Sequence, residues 1–173
     1  MKPVKEQIFE NSLLPFNYKI FTLPKFDAPW HFHPEYELTY IVESKGTRYV
    51  GDSIESFEKG DLVLLGPNLP HYWKNPQETE LASAVVIQFG QNFTGSGIFE
   101  FNAFFSVKNL LLKAGLGLKF PTEIACKIGD IIIEMEKKPE AIKIIMFLNI
   151  LYELSQITDY KPLTSIGFSD QIL

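Results

Sequence analysis

His31, His33, Glu37 and His71 are the side chains of this sequence best suited to chemistry, and the three histidines are its whole complement. His31 and His33 are separated by one residue and Glu37 follows four positions after His33, so an extended chain carries all three on one face. His71 arrives on a later strand, where it can close the set. Imidazoles and a carboxylate converging inside a β-structure bind a divalent transition metal, or line a polar ligand pocket without one. A mixed nitrogen and oxygen set of this kind suits Zn, Ni, Fe or Mn. The neutral ring is the ligand, so protons compete below the reference pKa of about 6.5.

Other residues flank this set. Trp30 and Tyr72 are expected at a pocket rim, where aromatic faces stack on sugar rings or other flat ligands. Arg48, just after the Ser44-Lys45-Gly46 turn, can hold an anionic ligand through its forked guanidinium, the plainer reading being a surface ion pair. By strand parity Phe32, Tyr36 and Tyr40 face away from the histidines, and Glu35 from Glu37. Asn75 and Gln88 are polar positions near strands that either can turn inward. The single cysteine, Cys126, excludes an internal disulfide and, in an apolar helical stretch, reads as a small buried hydrophobe.

The elements that must position these groups change character near residue 95. Before it, Asn17–Thr22, Tyr36–Glu43, Gly46–Val50, Ser53–Phe57, Asp61–Leu65 and Leu81–Phe89 are short and rich in β-branched and aromatic residues, with Gly, Pro, Asn and Asp between them. Such spacing predicts a barrel or sandwich. After a joint at Thr94-Gly95-Ser96-Gly97, Phe99–Ala114 reads as one or two short helices and Gly115–Phe120 as a last short strand. A helix is expected from Thr122, its N-cap, to about Lys138, and a second from Pro139 to about Thr158. The second is apolar over most of its circumference, which predicts a dimer seam. The tail after Lys161 reads as loop.

Composition narrows the function. Hydrophobic residues make up 46 % of 173, including 15 Phe, enough for a packed core. A net charge of −5 without a basic stripe excludes nucleic-acid binding by this segment. No apolar run approaches the ~20 residues of a membrane span, and the N-terminus carries no signal-peptide pattern, so a cytoplasmic protein is expected.

The two blocks around the histidines resemble the paired motifs of the cupin superfamily: His31-Phe32-His33, Glu37 and a late Gly46, then Gly60, Asp61–Leu65, Pro67, His71 and Asn75. The family's glycine between proline and histidine is replaced by Asn68 and Pro70. Within cupins, WHFHPEYELTYIVESKGTRYVGD and EKGDLVLLGPNLPHYW, followed by two helices, look like the N-terminal effector domain of AraC-type transcription regulators. The resemblance implies a mainly β fold, a cupin-type double-stranded β-helix (jelly-roll) barrel followed by a C-terminal helical hairpin. It implies a ligand-binding unit over 1–120, a dimerisation hairpin over 121–160, and a linker start over 161–173 leading to a helix-turn-helix part that holds DNA. The expected partners are a small effector, such as a sugar or other metabolite, and a second copy of the chain. The expected role is sensing, not catalysis. The alternative is a small metal-dependent cupin enzyme, an isomerase or dioxygenase, in which the ion supplies Lewis acidity or oxygen activation.

Overall fold

Period-two alternation builds strands through the N-terminal half, and both of their faces are covered. In Tyr36–Glu43 the side chains of Tyr36, Leu38 and Tyr40 take one face and Glu37, Thr39 and Ile41 the other, and all six are buried. The computed structural model describes residues 2–8, 13–93, 95 and 97–169; Thr94 and Ser96 of the expected joint lie outside the described residues, as do the last four residues of the tail.

In chain order the strands are β1 (Val4–Lys5), β2 (Phe16–Leu23), β3 (His31–Phe32), β4 (Tyr36–Glu43), β5 (Gly46–Val50), β6 (Ser53–Phe57), β7 (Leu62–Leu65), β8 (His71–Lys74), β9 (Ala82–Phe89), β10 (Leu118–Lys119) and β11 (Lys161–Pro162). Among the described residues they form a five-stranded sheet in the order β1-β3-β8-β5-β6 and a six-stranded sheet in the order β11-β10-β7-β4-β9-β2. Ile41, Val63, Leu65 and Ala84 of the larger sheet pack with Val50, Phe57 and Trp73 of the smaller. The fold is therefore mainly β and cupin-like, but the two ladders do not join into a closed barrel. Edge strands only two residues long, β1 and β11, leave too little ladder to carry closure.

The outer face of the larger sheet is roofed by helices. These are α1 (Phe105–Lys113), α2 (Thr122–Glu134) and α3 (Glu140–Ser155), with α4 (Ile166–Ser169) near the end. Leu38, Tyr40, Ile87 and Phe89 share one core with Ile128 and Ile132 of α2 and with Phe147, Ile150 and Leu151 of α3. Phe147 packs edge-on or tilted against Phe16, Phe89 and Phe93, which fixes α3 over the β2–β9 end of the sheet. There α3 lies chiefly against α1, and its pairing with α2 is minor, so the expected α2–α3 hairpin is not clearly formed. Ile142, Ile145 and Tyr152 of α3 stay exposed.

Several local expectations change. Pro121, not Thr122, occupies the N-cap of α2, and no side chain caps that end. Cys126 is exposed on α2, not buried. Residues 161–169, read from the sequence as loop, are strand β11 and helix α4, tied down by Thr164 Oγ1 donating to the Leu116 carbonyl at 3.1 Å and Ser165 N–H donating to Asp52 Oδ1 at 3.0 Å. Among the described residues no helix is long and apolar enough to cross a membrane.

Candidate functional site

Both sheets contribute to the histidine cluster. In the smaller sheet His31 of β3 and His71 of β8 are direct register partners, with ring centroids 4.2 Å apart. His33 follows immediately after β3, and its ring centroid lies 5.1 Å from that of His71. In the larger sheet Glu37 of β4 is paired with Gln88 of β9, which is paired in turn with Asn17 of β2. Sheet packing brings these two rows together. His31, His33, Glu37 and His71 are all buried, and one ligating atom from each lies within 4.8 Å of the others. The four positions singled out by spacing therefore meet.

Main-chain carbonyls aim the rings. The Nδ1 atoms of His31, His33 and His71 lie 2.7, 3.2 and 2.8 Å from the carbonyl oxygens of Pro29, Glu35 and Leu69. A proton on each Nδ1 satisfies those carbonyls and leaves Nε2 facing the cluster, the tautomer a metal ligand needs. Glu37 is oriented by Thr39 Oγ1, which donates to Oε1 at 2.7 Å, and by Gln88 Nε2, which donates to Oε2 at 3.0 Å. Asn17 Nδ2 donates to Gln88 Oε1 at 3.0 Å. His33 Nε2 and His71 Nε2 lie 3.0 and 3.6 Å from Glu37 Oε2.

Electrostatics follow from these contacts. Burial opposes charge on Glu37, but the nearby His71 charge and the hydrogen bond with His33 outweigh it and hold its carboxyl well below the usual carboxylate range. Burial likewise opposes protonation of His31 and His33. At His31 the Glu6 carboxylate and the Pro29 carbonyl win, at His33 the Glu37 carboxylate wins, and both rings sit above the ordinary value of 6.5. His71 Nε2 is buried with no hydrogen-bond partner, a costly state for a polar atom. Three inward Nε2 atoms, one of them orphaned, and an oriented carboxylate fit a divalent transition metal. When bound, such an ion supplies Lewis acidity and a coordination position for a ligand oxygen or nitrogen.

The cluster forms the polar end of a cavity of about 110 Å³ between the sheets, where His31, Glu37, Thr39 and Gln88 line the wall. Two further residues complete the wall, Trp73 by alternation from His71 on β8 and Glu6 without any local signal. Glu6 comes from the segment after β1, and its Oε2 lies 3.3 Å from His31 Nε2. Trp73 lines the cavity with its Nε1 buried and unpartnered. Thr39 was findable, since it shares the Glu37 face by alternation.

Trp30, Tyr72 and Arg48 are not brought to the cluster. Tyr72 alternates to the face opposite His71, where it pairs and stacks with Tyr49 at 5.6 Å. Trp30 joins them in a separate outer groove. Adjacency in sequence to a histidine thus works against sharing its face. Arg48 points inward but is neither a surface pair nor a cavity residue: it is 1 % exposed and is held by Asp61 and, at 3.4 Å, by Glu55. Asn75 is a loop latch, accepting from Phe26 N–H at 2.7 Å and donating to Ser44 Oγ at 2.7 Å.

Comparison with known proteins agrees with this architecture. No curated protein matches the chain. A structure of ToxT from Vibrio cholerae is similar over 87 % of this chain and 60 % of its own, at 11 % identity and a TM-score of 0.50. A ToxT structure with an unsaturated fatty acid bound is similar over 91 % of this chain and 60 % of its own, at 16 % identity and a TM-score of 0.47. A Cupin 2 conserved barrel domain protein from Salinispora arenicola is similar over 51 % of this chain and 75 % of its own, at 20 % identity and a TM-score of 0.42. The chain thus spans about three fifths of the ToxT structures it resembles. Residues 20–87 match the family model of the cupin domain, a span that includes all four clustered residues.

Proposed function

We propose that this chain is the ligand-sensing and dimerisation part of an AraC-type transcription regulator. In this reading residues 1–120 bind a small effector, residues 121–160 join two copies, and 161–173 lead toward helix-turn-helix elements that contact DNA. The net charge of −5 suits a segment that does not itself hold DNA. His31, His33, Glu37 and His71 hold one divalent ion, Zn, Ni, Fe or Mn, and the effector binds beside it. The protein works in the cytoplasm.

The observation that carries this reading is what β4 and β9 separate. Their inner face carries Glu37 and Gln88 at the cavity, and their outer face carries Leu38, Tyr40, Ile87 and Phe89 in one core with α2 and α3. A ligand that repositions the inner row acts on the helices one strand thickness away, and exposed Ile142, Ile145 and Tyr152 offer the helical layer a seam for a second copy. The test is light scattering of the chain with and without Ile145→Glu, together with metal analysis of protein purified without nickel resin. A dimer that becomes a monomer on substitution, with one ion per chain, supports the reading. A monomer at high micromolar concentration overturns the seam.

The complete nitrogen and carboxylate donor set favours a second reading, a small metal-dependent isomerase or dioxygenase. Turnover of a sugar or aromatic diol by the zinc-, iron- or manganese-loaded protein, abolished by His33→Ala, would establish it in place of the first.

A further inference from the structure

The cavity constrains its occupant through the sign of its charge and one stranded donor. Three carboxylates line it: Glu6 after β1, Asp27 between β2 and β3, and Glu37 at the cluster. Among the described residues no lysine or arginine lines it, and Asp27, exposed where the cavity opens to solvent, has no ion-pair or hydrogen-bond partner. Glu6 Oε2 is buried without a hydrogen bond, 3.3 Å from His31 Nε2. A divalent ion at the histidines offsets only two of the three negative charges. A cleft lined by one sign of charge draws in the other. The rings of Phe21, Phe26 and Trp73 border the same space, and aromatic faces attract an organic cation. An independent observation adds a second requirement. Trp73 is only 8 % exposed and its Nε1 has no hydrogen-bond partner. An indole N–H only donates and never titrates away, so what completes it is an acceptor oxygen.

We propose that the cavity takes a small organic cation that also carries an acceptor oxygen, in the simplest case an amino alcohol with a branched hydrocarbon body. Its ammonium lies at Glu6 and Asp27, its oxygen accepts from Trp73 Nε1, and its hydrocarbon lies against Ile41, Ala84 and Val86. This rests on the effector-sensing reading above for its purpose and names the chemical class of that effector; the charge and the Trp73 contact stand with or without the ion. A carboxylate ligand would meet three like charges. A neutral sugar would leave Glu6 and Asp27 without a counter-charge and strand hydroxyls on the apolar wall.

Isothermal titration calorimetry near neutral pH, where an alkyl amine is protonated, tests this on the ion-free and the zinc-loaded chain. The probes are leucinol, 3-methylbutylamine, which lacks the hydroxyl, 4-methylpentan-1-ol, which lacks the amine, and 3-methylbutanoate. Leucinol should bind both forms, with 3-methylbutylamine about five- to tenfold weaker, the alcohol at least about tenfold weaker and no binding of the carboxylate. Glu6→Gln and Asp27→Asn in one chain should weaken leucinol at least about tenfold and leave the alcohol unchanged. Trp73→Phe removes the donor; it should bring leucinol down to the level of 3-methylbutylamine and leave that amine unchanged. The alcohol or the carboxylate binding as tightly as leucinol, no heat from leucinol, or the Glu6 and Asp27 variant keeping full affinity overturns the proposal. Equal binding of leucinol and 3-methylbutylamine overturns the oxygen contact. Binding confined to one of the two forms overturns it too, because the amine would then be a ligand of the ion or its substitute. If the chain takes up no zinc, or forms no dimer, those parts of the sensing reading fall by themselves, and the titrations on the ion-free chain still decide the cavity.

Discussion

Glu37 and Gln88 face each other in register on β4 and β9, and the amide donates to the carboxylate at 3.0 Å. Asn17 on β2 supports the amide from behind. Two side-chain amides, on β2 and β9, thus set the angle of the one anionic member of the cluster on β4. Gln88→Leu should destabilise the ion-free protein by about 1–3 kcal/mol, because it strands the Asn17 donor and removes one bond to a buried carboxylate. Zinc affinity should fall roughly 10- to 100-fold. Thermal denaturation and equilibrium dialysis read the two effects; unchanged affinity would show that these amides do not orient Glu37.

Acidity should act in opposite directions on the ion-free and zinc-loaded forms. His31 and His33 have folded pKa values raised above 6.5. The stability they contribute to the ion-free protein is fully present below about pH 6.5 and is lost as pH rises through the raised values. Glu37, held low, contributes stability that is present above the ordinary carboxylate value of 4.5 and is lost as pH falls through its folded value. Zinc needs the deprotonated rings, so its affinity should rise over the interval in which the ion-free protein weakens, with protons released on binding. Calorimetry in two buffers of different ionisation enthalpy counts those protons. Zinc binding without proton release would contradict the raised values.

The ion pair of Arg48 and Asp61 lies between the sheets, with Lys119 at 3.1 Å from Asp61 Oδ1 and Glu55 completing the group. Asp61→Asn leaves a buried guanidinium short of a counter-charge, for which about 3–5 kcal/mol of destabilisation is expected. Chemical denaturation measures it. Zinc stoichiometry should not change, since this network does not touch the histidines.

How much of this was legible in the sequence depends on what carried each position. The cluster itself was readable because spacing on a strand fixes a face: His31, His33 and Glu37 share one, and Thr39 extends it. Glu6 was invisible, since it enters from a two-residue strand whose parallel pairing with β3 has no local pattern. The burial of Arg48 was invisible for a similar reason, because its partners Glu55 and Asp61 come from other strands and the residue alone reads as a surface cation. Tyr72 follows His71 directly, so strand alternation turns it to the opposite face, beside Tyr49. The two apolar helices were readable, but not their partners: Phe147 is claimed by an aromatic cluster on β2 and β9, which takes α3 away from a simple pairing with α2.

Gly129 of α2 sits on the Tyr40 ring of β4, where an added Cβ would overlap the ring atoms. Gly129→Ala should lower stability by about 1–3 kcal/mol by prising the helix from the sheet, despite the better helix propensity of alanine. Tyr40→Leu in the same chain should recover part of it. Thermal melts of the single and double variants check the coupling; additive losses would show that the two positions do not meet.

The imidazoles owe their orientation to the oxygens of Pro29, Glu35 and Leu69, atoms that every amino acid possesses. Substitution at those three positions changes what surrounds the rings but cannot delete what points them, provided the local chain path survives. Retuning the centre for a different ion is thereby confined to Glu37 and the Thr39 and Gln88 side chains that steady it, and this corner is where evolutionary drift would alter chemistry without disturbing ring angles.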